Sequence, residues 1–509
     1  MTQDGNPLFD KVLVANRGEI ACRVIRACRA RGIRTVAVFS EADRRALHVR
    51  MADEAWCIGP PPSRESYLRG DRILDVARRS GAQAIHPGYG FLSENAGFRR
   101  QCEEAGVVFI GPPAKAMELM GEKTLARQTM IAAGVPVVPG TAQPLADLAE
   151  LTRVAAEVGY PIMLKAAAGG GGKGMRIVAD PQQLASAFEG ARREARSSFG
   201  DDAVYVEKAI VGPRHIEVQL LADRHGNVVW VGDRECSVQR RHQKVIEESP
   251  APNLSEATRR QMGEMAVQAA RAVGYEGAGT VECLVDQSES FYFLEMNTRL
   301  QVEHCATEEA FGVDLVDAQL QVAAGLPLPF DQASLVARRH AIELRVYAED
   351  PYQNDMPSPG VLTAYRPPRG PGVRVDDGVE DGSEVSSLYD PMVAKLIVSA
   401  GTRDAAIARG LAALREYAIE GIHTNLPLLH HVLESAPFRA GRYTTGLLAE
   451  LPRVTPPVAD EATEDLARVL AALAVDARAP RQVEGGVAGG GQWTPWALDG
   501  LRRQLGGGL

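Results

Sequence analysis

Two predicted strands near the middle of the chain carry acidic and amide side chains whose spacing suits a divalent cation. Thr280–Val285 and Phe291–Asn297 have the pattern of a β-hairpin. Glu295 and Asn297 lie two residues apart and share a face of the second strand, and Glu282 on the first strand is expected to face them. Oxygen ligands of this kind favour Mg²⁺, which completes its shell with substrate phosphates. The alternative is a charged rim paired with arginines.

The segment directly after this hairpin, Arg299–Glu303, is dense in polar side chains. Arg299 offers a planar fork for a carbonate or carboxylate, and Gln301 with the Val302 backbone can orient such an anion. Glu303 is a candidate general base, held beside cations and close to the metal. We therefore predict an anion site next to the metal, and no grouping of His and Cys residues indicates zinc.

A second cationic cluster is Gln239–Lys244 (QRRHQK), which includes His242. An exposed charge run is the alternative, but this run follows a strand and contains a lysine. Lysine is rare here, because 48 of the 56 basic residues are arginine and 8 are lysine. An ammonium and a guanidinium are not interchangeable at a phosphate or carbonyl, so the lysines are candidates for function. They are Lys11, Lys115, Lys123, Lys165, Lys173, Lys208, Lys244 and Lys395.

A glycine run, Gly169–Gly172, precedes Lys173 and Gly174. Glycines let backbone N–H groups approach phosphate oxygens, and the lysine adds charge. The run is not a Walker A loop, because no Lys-Ser or Lys-Thr pair follows and the next element, Arg176–Val178, is a predicted strand. We interpret it as a mobile lid over a triphosphate, with a flexible surface turn as the alternative.

The elements that must position these residues are of two kinds. Strands at Lys11–Ala15, Thr35–Phe39, Ala84–His86 and Val107–Ile110 alternate with helices, which predicts a doubly wound α/β layer. Its first turn lacks GxGxxG, so a dinucleotide site is poorly supported. A helical stretch is predicted over Ala114–Ala133.

Antiparallel hairpins dominate the centre of the chain. Alternating Ile216, Val218 and Leu220 lead through a turn at His225–Asn227 into a second strand. The fold class is therefore α/β together with α+β. His86 and the pair His430–His431 are interpreted as structural.

The composition is that of a multidomain globular protein of 509 residues, with 45% hydrophobic residues. A net charge of −9 provides no long-range field for nucleic acid or an anionic membrane. No apolar run is long enough to span a bilayer, and the first residues do not resemble a secretory signal. Seven scattered cysteines without a CxxC pair favour the cytoplasm.

Two segments, YPIMLKAAAGGGGKGM and FLEMNTRLQVEH, resemble the signatures of the ATP-grasp superfamily. The ordered motifs VANRGEIA, HPGYGFLSEN, LMGEK, RHIEVQ, QRRHQKV and MPSPG resemble its biotin carboxylase branch, over roughly residues 9–450. The resemblance implies a Rossmann-like (pre-ATP-grasp) domain over 1–118 and an ATP-grasp domain over 119–333 with a lid near 138–208. It also implies a C-terminal mixed β/α domain over 334–450. Residues 451–509 lie outside it. A helix is predicted there at Glu461–Val475, and we expect the segment that contains Trp493 and Trp496 to dock either on the chain itself or on a partner.

The resemblance also implies a role for each candidate. The ATP-binding residues are Lys123, Lys165, Gly169, Gly170, Gly171, Gly172, Lys173, Gly174, Glu207, Lys208, Ile210, His215, Gln239, His242, Glu282 and Glu295. Glu282, Glu295 and Asn297 match the ligands of Mg²⁺ or Mn²⁺; Lys244, Arg299, Gln301 and Val302 match bicarbonate contacts. Glu303 matches the base that deprotonates bicarbonate, and Arg345 the arginine that binds biotin and stabilises its enolate.

The implied reaction is ATP- and bicarbonate-dependent carboxylation of biotin N1′ through carboxyphosphate. Carrier domains present a Met-flanked lysine, which this sequence lacks, so we expect biotin on a separate carrier protein, a carboxyltransferase partner, a homodimer and, as final acceptor, acetyl-CoA. A carbamoyl-phosphate-type ligase is the nearest alternative, and QRRHQKV and Arg345 argue against it. A regulatory subunit without turnover would need a broken site.

Two departures from the family pattern stand out. Ala167-Ala168 replace Ser-Gly at the start of the glycine run. Cys305-Ala306 replace Pro-Val directly after Glu303-His304, and we expect Cys305 to make the enzyme sensitive to thiol reagents.

Overall fold

The computed structural model describes residues 8–141, 143–166 and 175–456, together with 465 and 468–470. The chain divides into two units, Met1–Val454 and Thr455–Leu509. The predicted lid glycines, Lys173, both tail tryptophans and most of the predicted tail helix lie outside the described residues. Within the described ranges, none of the helices combines the length and the hydropathy that crossing a bilayer requires.

The N-terminal region is a parallel α/β layer, as predicted. Its elements are β1 (Lys11–Val14), α1 (Gly18–Ala30), β2 (Arg34–Ser40), α2 (Leu47–Met51), β3 (Glu54–Gly59), α3 (Gly70–Ser80), β4 (Ala84–His86), α4 (Ala96–Glu104) and β5 (Val108–Phe109). The sheet order is β3-β2-β1-β4-β5, and the pairing of Val14 with His86 brings the carboxyl ends of β1 and β4 together. The side chain of Asn16 bridges the two loops there, donating to the carbonyl oxygens of Pro87 and Tyr89 at 2.7 and 2.8 Å.

A small antiparallel sheet follows. The elements are α5 (Ala114–Gly121), α6 (Lys123–Ala132), α7 (Leu148–Val158), β6 (Ile162–Ala166), β7 (Met175–Val178), α8 (Leu184–Phe199) and β8 (Val204–Lys208), with β6 at the centre of the sheet. The predicted helical stretch Ala114–Ala133 is confirmed as two helices, because Glu122 is extended (φ −99°, ψ 119°) and separates α5 from α6. This break makes Lys123 the first residue of its helix.

The largest sheet in the described residues is antiparallel and has the order β13-β12-β9-β10-β11-β14-β21-β19. Its central elements are β9 (Arg214–Ala222), β10 (Val228–Arg240), β11 (Gln243–Ser249), α9 (Glu256–Ala272), β12 (Gly277–Val285), β13 (Phe291–Asn297), α10 (His304–Phe311), α11 (Leu315–Ala323) and β14 (His340–Tyr347). Both predicted hairpins are confirmed: β9 pairs with β10, and β12 pairs with β13.

Three strands of the C-terminal region extend the same sheet. The remaining elements are β15 (Glu349–Asp350), β16 (Met356–Pro357), β17 (Gly360–Val361), β18 (Ala364–Arg366), β19 (Val373–Asp377), β20 (Glu384–Val385), β21 (Met392–Ala400), α12 (Arg403–Glu416), β22 (Ala418–Glu420), α13 (Leu426–Glu434), α14 (Ala436–Arg439) and α15 (Leu447–Glu450). Ile342, Leu344 and Val398 join an apolar core with α12 and α13. Fully buried charged side chains on neighbouring strands, among them Glu217 and Arg234, belong to the site described next.

Candidate active site

The predicted acidic group forms on the β12–β13 hairpin. Glu282 lies directly opposite Glu295 in the strand register, and the Asn297 amide donates to Glu282 Oε1 at 2.9 Å. Burial raises the pKa of Glu295, and the neighbouring charge of Glu282 raises it further. Two carboxylates and an amide oxygen that share a face form a donor set that fits Mg²⁺, and a cation there relieves the repulsion.

Lys244 occupies the centre of the acidic group. From β11, its Nζ lies 2.7 Å from Glu217 Oε2, 2.9 Å from Glu282 Oε1 and 2.7 Å from Glu303 Oε1. Burial lowers the pKa of Lys244, but the three carboxylates outweigh this effect and the pKa lies well above its ordinary value. Burial likewise raises the pKa of Glu282, and Lys244 and His215 bring it below its ordinary value. The ammonium is therefore the counter-charge of the site.

Glu303 lies between two cations. Its Oε2 accepts from Arg345 Nη2 at 3.0 Å, and the same guanidinium lies 2.5 Å from Glu247 Oε1. Burial raises the pKa of Glu303, but Lys244, then Arg345 and Arg234, lower it well below its ordinary value. Glu303 is thus an ionised carboxylate. Its pKa, and hence its strength as a base, depends on how strongly these cations interact with it.

Arg299 ties the end of β13 to the N-terminal layer. Its guanidinium donates to Glu94 Oε2 at 2.9 Å, to Asn297 Oδ1 at 3.1 Å and to Gln301 Oε1 at 3.1 Å. Gln301 in turn donates to Glu282 Oε1 at 3.0 Å. The predicted anion-binding residues are therefore in one network with the acidic hairpin.

The remaining candidates divide between two places. His215 Nε2 lies 3.0 Å from Glu282 Oε2, and Gln239 pairs with Lys244 across the β10–β11 hairpin. Lys165 forms an ion pair with Glu207 in the small sheet. The Lys208 ammonium donates to the carbonyl oxygens of Gly159 and Tyr160 at 2.9 Å, and its backbone N–H to Pro139 at 2.7 Å.

The QRRHQK run does not act as one cluster. Lys244 alone of its cations is found among the acidic residues above; Arg240 pairs with Glu349 and Asp355 at 2.6 and 2.8 Å. Arg241 and His242 are exposed in the hairpin turn with positive φ angles of 50° and 68°.

Sequence reasoning missed several charged residues of the site. Glu217 accepts from Arg234 Nε at 2.5 Å as well as from Lys244. The side chains of Glu217 and Arg234 are fully buried. Glu94 and Glu247, the partners of Arg299 and Arg345, were also missed. The alternation of His215, Glu217 and Gln219 along one strand was a usable signal, since all three share a face.

The structural interpretation of His86 fits its surroundings, because its Nδ1 accepts from the Gly88 N–H at 3.0 Å.

The expected thiol sensitivity at Cys305 is not supported. Cys305 is fully buried, and burial raises the pKa of its thiol well above the ordinary value. A buried, protonated thiol reacts slowly with alkylating reagents. The neighbouring Glu308 pairs with Arg23 and Arg374 at 2.9 Å, so cations of the chain already neutralise it.

Three family models match this chain. They describe the biotin carboxylase N-terminal domain at residues 8–117, the carbamoyl-phosphate synthase L chain ATP-binding domain at 122–330 and the biotin carboxylase C-terminal domain at 343–450. The biotin carboxylase of Halalkalibacterium halodurans is 54% identical over 87% of this chain and 97% of its own length. The propionyl-CoA carboxylase alpha chain of Ruegeria pomeroyi is 51% identical, over 87% of this chain and 68% of its own.

Solved structures agree with this match. A biotin carboxylase from Campylobacter jejuni, in complex with β,γ-ATP, has a TM-score of 0.82 at 47% identity and covers 88% of this chain and 100% of its own. The biotin carboxylase domain dimer of Hydrogenobacter thermophilus 2-oxoglutarate carboxylase, with MgADP, ADP and bicarbonate, has a TM-score of 0.82 at 47% identity, over 89% of this chain and 99% of its own. The chain belongs to the biotin carboxylase family of ATP-dependent ligases.

Proposed function

We propose that this protein is the biotin carboxylase subunit of a multisubunit acyl-CoA carboxylase. It carboxylates biotin N1′ on a separate carrier protein, using ATP and bicarbonate. The observation that carries the proposal is the Lys244–Glu303–Arg345 arrangement beside the Glu282–Glu295–Asn297 donor set. A phosphate-directed cation site adjoining a cationic anion pocket is what activation of bicarbonate by phosphorylation requires.

Glu282, Glu295 and Asn297 are the proposed metal ligands, and Mg²⁺ or Mn²⁺ supplies charge neutralisation at the phosphates when bound. Lys123, Lys165, His215, Gln239 and His242 are assigned to ATP, with the backbone near Glu207–Ile210 at the adenine. The predicted lid, Gly169–Gly174, completes this assignment. Lys123, at the start of α6, is close enough to lower the pKa of Glu295, which supports its position beside the phosphates.

Bicarbonate is assigned to Lys244, Arg299, Gln301 and the Val302 backbone. An anion entering this pocket draws the charge of Lys244 and Arg345 toward itself, so the pKa of Glu303 rises and the carboxylate becomes a better base. Glu303 then takes the bicarbonate proton as the oxygen attacks the γ-phosphorus and ADP leaves. The resulting carboxyphosphate breaks down to CO₂ and phosphate, the phosphate takes the N1′ proton, and Arg345 stabilises the enolate that attacks CO₂.

The partners in this proposal are a biotinylated carrier protein and a carboxyltransferase. Support comes from the Ruegeria pomeroyi relative, which is named as the alpha chain of a propionyl-CoA carboxylase. The biotin carboxylase domain of the Hydrogenobacter thermophilus enzyme is a dimer, which supports a homodimer here. All seven cysteines are free, which supports the cytoplasmic setting. We expect acetyl-CoA as acceptor, with propionyl-CoA as the competing one.

The proposal is tested with the purified chain, Mg-ATP, bicarbonate and free biotin. We expect ADP release that requires bicarbonate and rises with biotin. A rate of ADP release that is independent of bicarbonate, or that requires ammonia instead, contradicts the proposal. Affinity purification from the native cell, followed by assays with acetyl-CoA and propionyl-CoA, identifies the partners and the acceptor.

A further inference from the structure

A buried lysine to which we have assigned no role so far, Lys395, holds the segment that carries Glu303. Lys395 lies on β21 directly opposite Arg345 on β14. Arg345 Nη2 reaches the Glu303 carboxylate at 3.0 Å, and Lys395 Nζ donates to the Val302 carbonyl oxygen at 2.7 Å. Two cross-strand cations therefore bind consecutive residues at the point where α10 begins.

The surroundings of Lys395 keep it charged. It is fully buried, and its Nζ lies 3.2 Å from Cys305 Sγ and 3.3 Å from Glu19 Oε1. Asp376 is its cross-strand neighbour on β19. Burial lowers the pKa of Lys395, but neighbouring acidic groups, among them Glu19 and Asp376, outweigh this effect and the pKa is raised. The bond to Val302 is therefore charge-assisted and shielded from water, where such bonds are strongest.

Lys395 also connects this segment to the N-terminal layer. Glu19 belongs to α1, within the VANRGEIA motif, and its Oε1 also accepts from the hydroxyl of Tyr89 in the loop after β4. The Val302 carbonyl is thus linked through one ammonium and Glu19 to the start of α1 and to the loop after β4. Through Lys395, the VANRGEIA motif is therefore connected to the segment that carries the proposed base, Glu303.

We propose that Lys395 is a positioning residue for the reaction, fixing the Val302 backbone and thereby the direction of Glu303. The inference rests on the proposed function, since it assigns Lys395 to the base of that reaction. A compact ammonium suits a site bounded by a carbonyl, a carboxylate and a thiol, whereas a planar guanidinium requires more room.

The test uses Lys395→Met, which removes the charge and the donor at similar size. We expect kcat for bicarbonate-dependent ADP release to fall about 10- to 100-fold, because a small misplacement of a reacting group has that effect. Binding of Mg-ATP, measured by calorimetry, should remain within about threefold. Lys11→Met is the matched control: Lys11 is also buried, pairs with Glu54 and donates to the Ser80 carbonyl at 2.6 Å, but in the N-terminal sheet. Its kcat should be unchanged.

A double-mutant cycle with Glu303→Gln separates positioning from general loss of structure. If Lys395 acts through Glu303, the double variant has the kcat of Glu303→Gln alone. Multiplicative losses, or equal effects of Lys395→Met and Lys11→Met, overturn the inference. Should Lys395→Met fail to fold, Lys395→Gln, which is shorter and keeps a polar N–H donor, carries the same cycle. A wild-type protein without bicarbonate-dependent turnover overturns the proposed function instead.

Discussion

Lys244 Nζ and Glu303 Oε1 are 2.7 Å apart, and the same ammonium contacts two further buried carboxylates, on Glu217 and Glu282. The four residues come from different strands or from the segment after β13. Their mutual position therefore depends on sheet pairing rather than on local sequence. One lysine neutralises charge that would otherwise make this arrangement unstable.

Replacing Lys244 with Met should destabilise the protein by about 3–5 kcal/mol, because breaking a buried ion pair leaves uncompensated charge. Urea denaturation at neutral pH measures the change. Lys115→Met is the control, since Lys115 is exposed and its loss should change stability by no more than about 0.5 kcal/mol. Equal stabilities for the two variants would show that the carboxylates do not depend on Lys244.

Glu303→Gln should separate chemistry from nucleotide binding. We expect turnover to fall about 10²- to 10⁴-fold, the range of a general base, while the affinity for Mg-ATP changes little. Steady-state kinetics and calorimetry provide the two measurements. A variant that loses ATP affinity but keeps kcat at saturating ATP contradicts the role of Glu303 as base.

Glu295→Gln should increase the stability of the metal-free protein and weaken the binding of Mg²⁺. The metal-free protein should become more stable, because one of two facing carboxylates is removed. The Mg²⁺ concentration that gives half-maximal activity should rise at least about tenfold, because a charged ligand is lost. Thermal unfolding in EDTA and a Mg²⁺ titration test both parts; an unchanged Mg²⁺ requirement would exclude Glu295 as a ligand.

Glu19 should make stability depend on pH near neutrality. Burial raises its pKa to about 7, and Lys395 only partly opposes this. Because the folded-state pKa lies above the unfolded value, the contribution of Glu19 to stability is complete below about pH 4.5 and is lost as pH rises through about 7. Relative to Glu19→Gln, the wild type should lose up to roughly 3 kcal/mol over this interval. Parallel pH profiles of the two unfolding free energies would contradict the assignment.

Alkylation should distinguish the seven cysteines. Cys57 is exposed and the other six, including Cys305, are buried. Iodoacetamide should therefore add one group to the native protein, at Cys57, without loss of activity, as read by mass spectrometry and assay. Cys57→Ser is the control and should remain unmodified. Inactivation with modification at Cys305, prevented by ATP, would restore the expectation from the sequence.

How much the sequence could predict depends on how local each signal is. Glu282, Glu295 and Asn297 were predictable as a group, because period-two alternation and a short turn determine which side chains face each other. The contact between Arg299 and Glu94 joins loops 205 residues apart and depends on how the N-terminal layer packs, which no periodicity encodes. Glu217 was missed for a related reason: its partners, Arg234 and Lys244, come from β10 and β11. The helix break at Glu122 was missed because nothing in the helical pattern of that stretch requires it.

Glu282, Lys244, Arg345 and Lys395 lie on four strands of one continuous hydrogen-bonded sheet. Its strand order is β13-β12-β9-β10-β11-β14-β21-β19. Hydrogen bonds between neighbouring strands resist sliding of one strand past the next, so these side chains are carried by one rigid sheet. We therefore expect rearrangements that admit substrates and release products to arise in elements outside this sheet, while the proposed metal, bicarbonate and biotin residues keep their mutual distances.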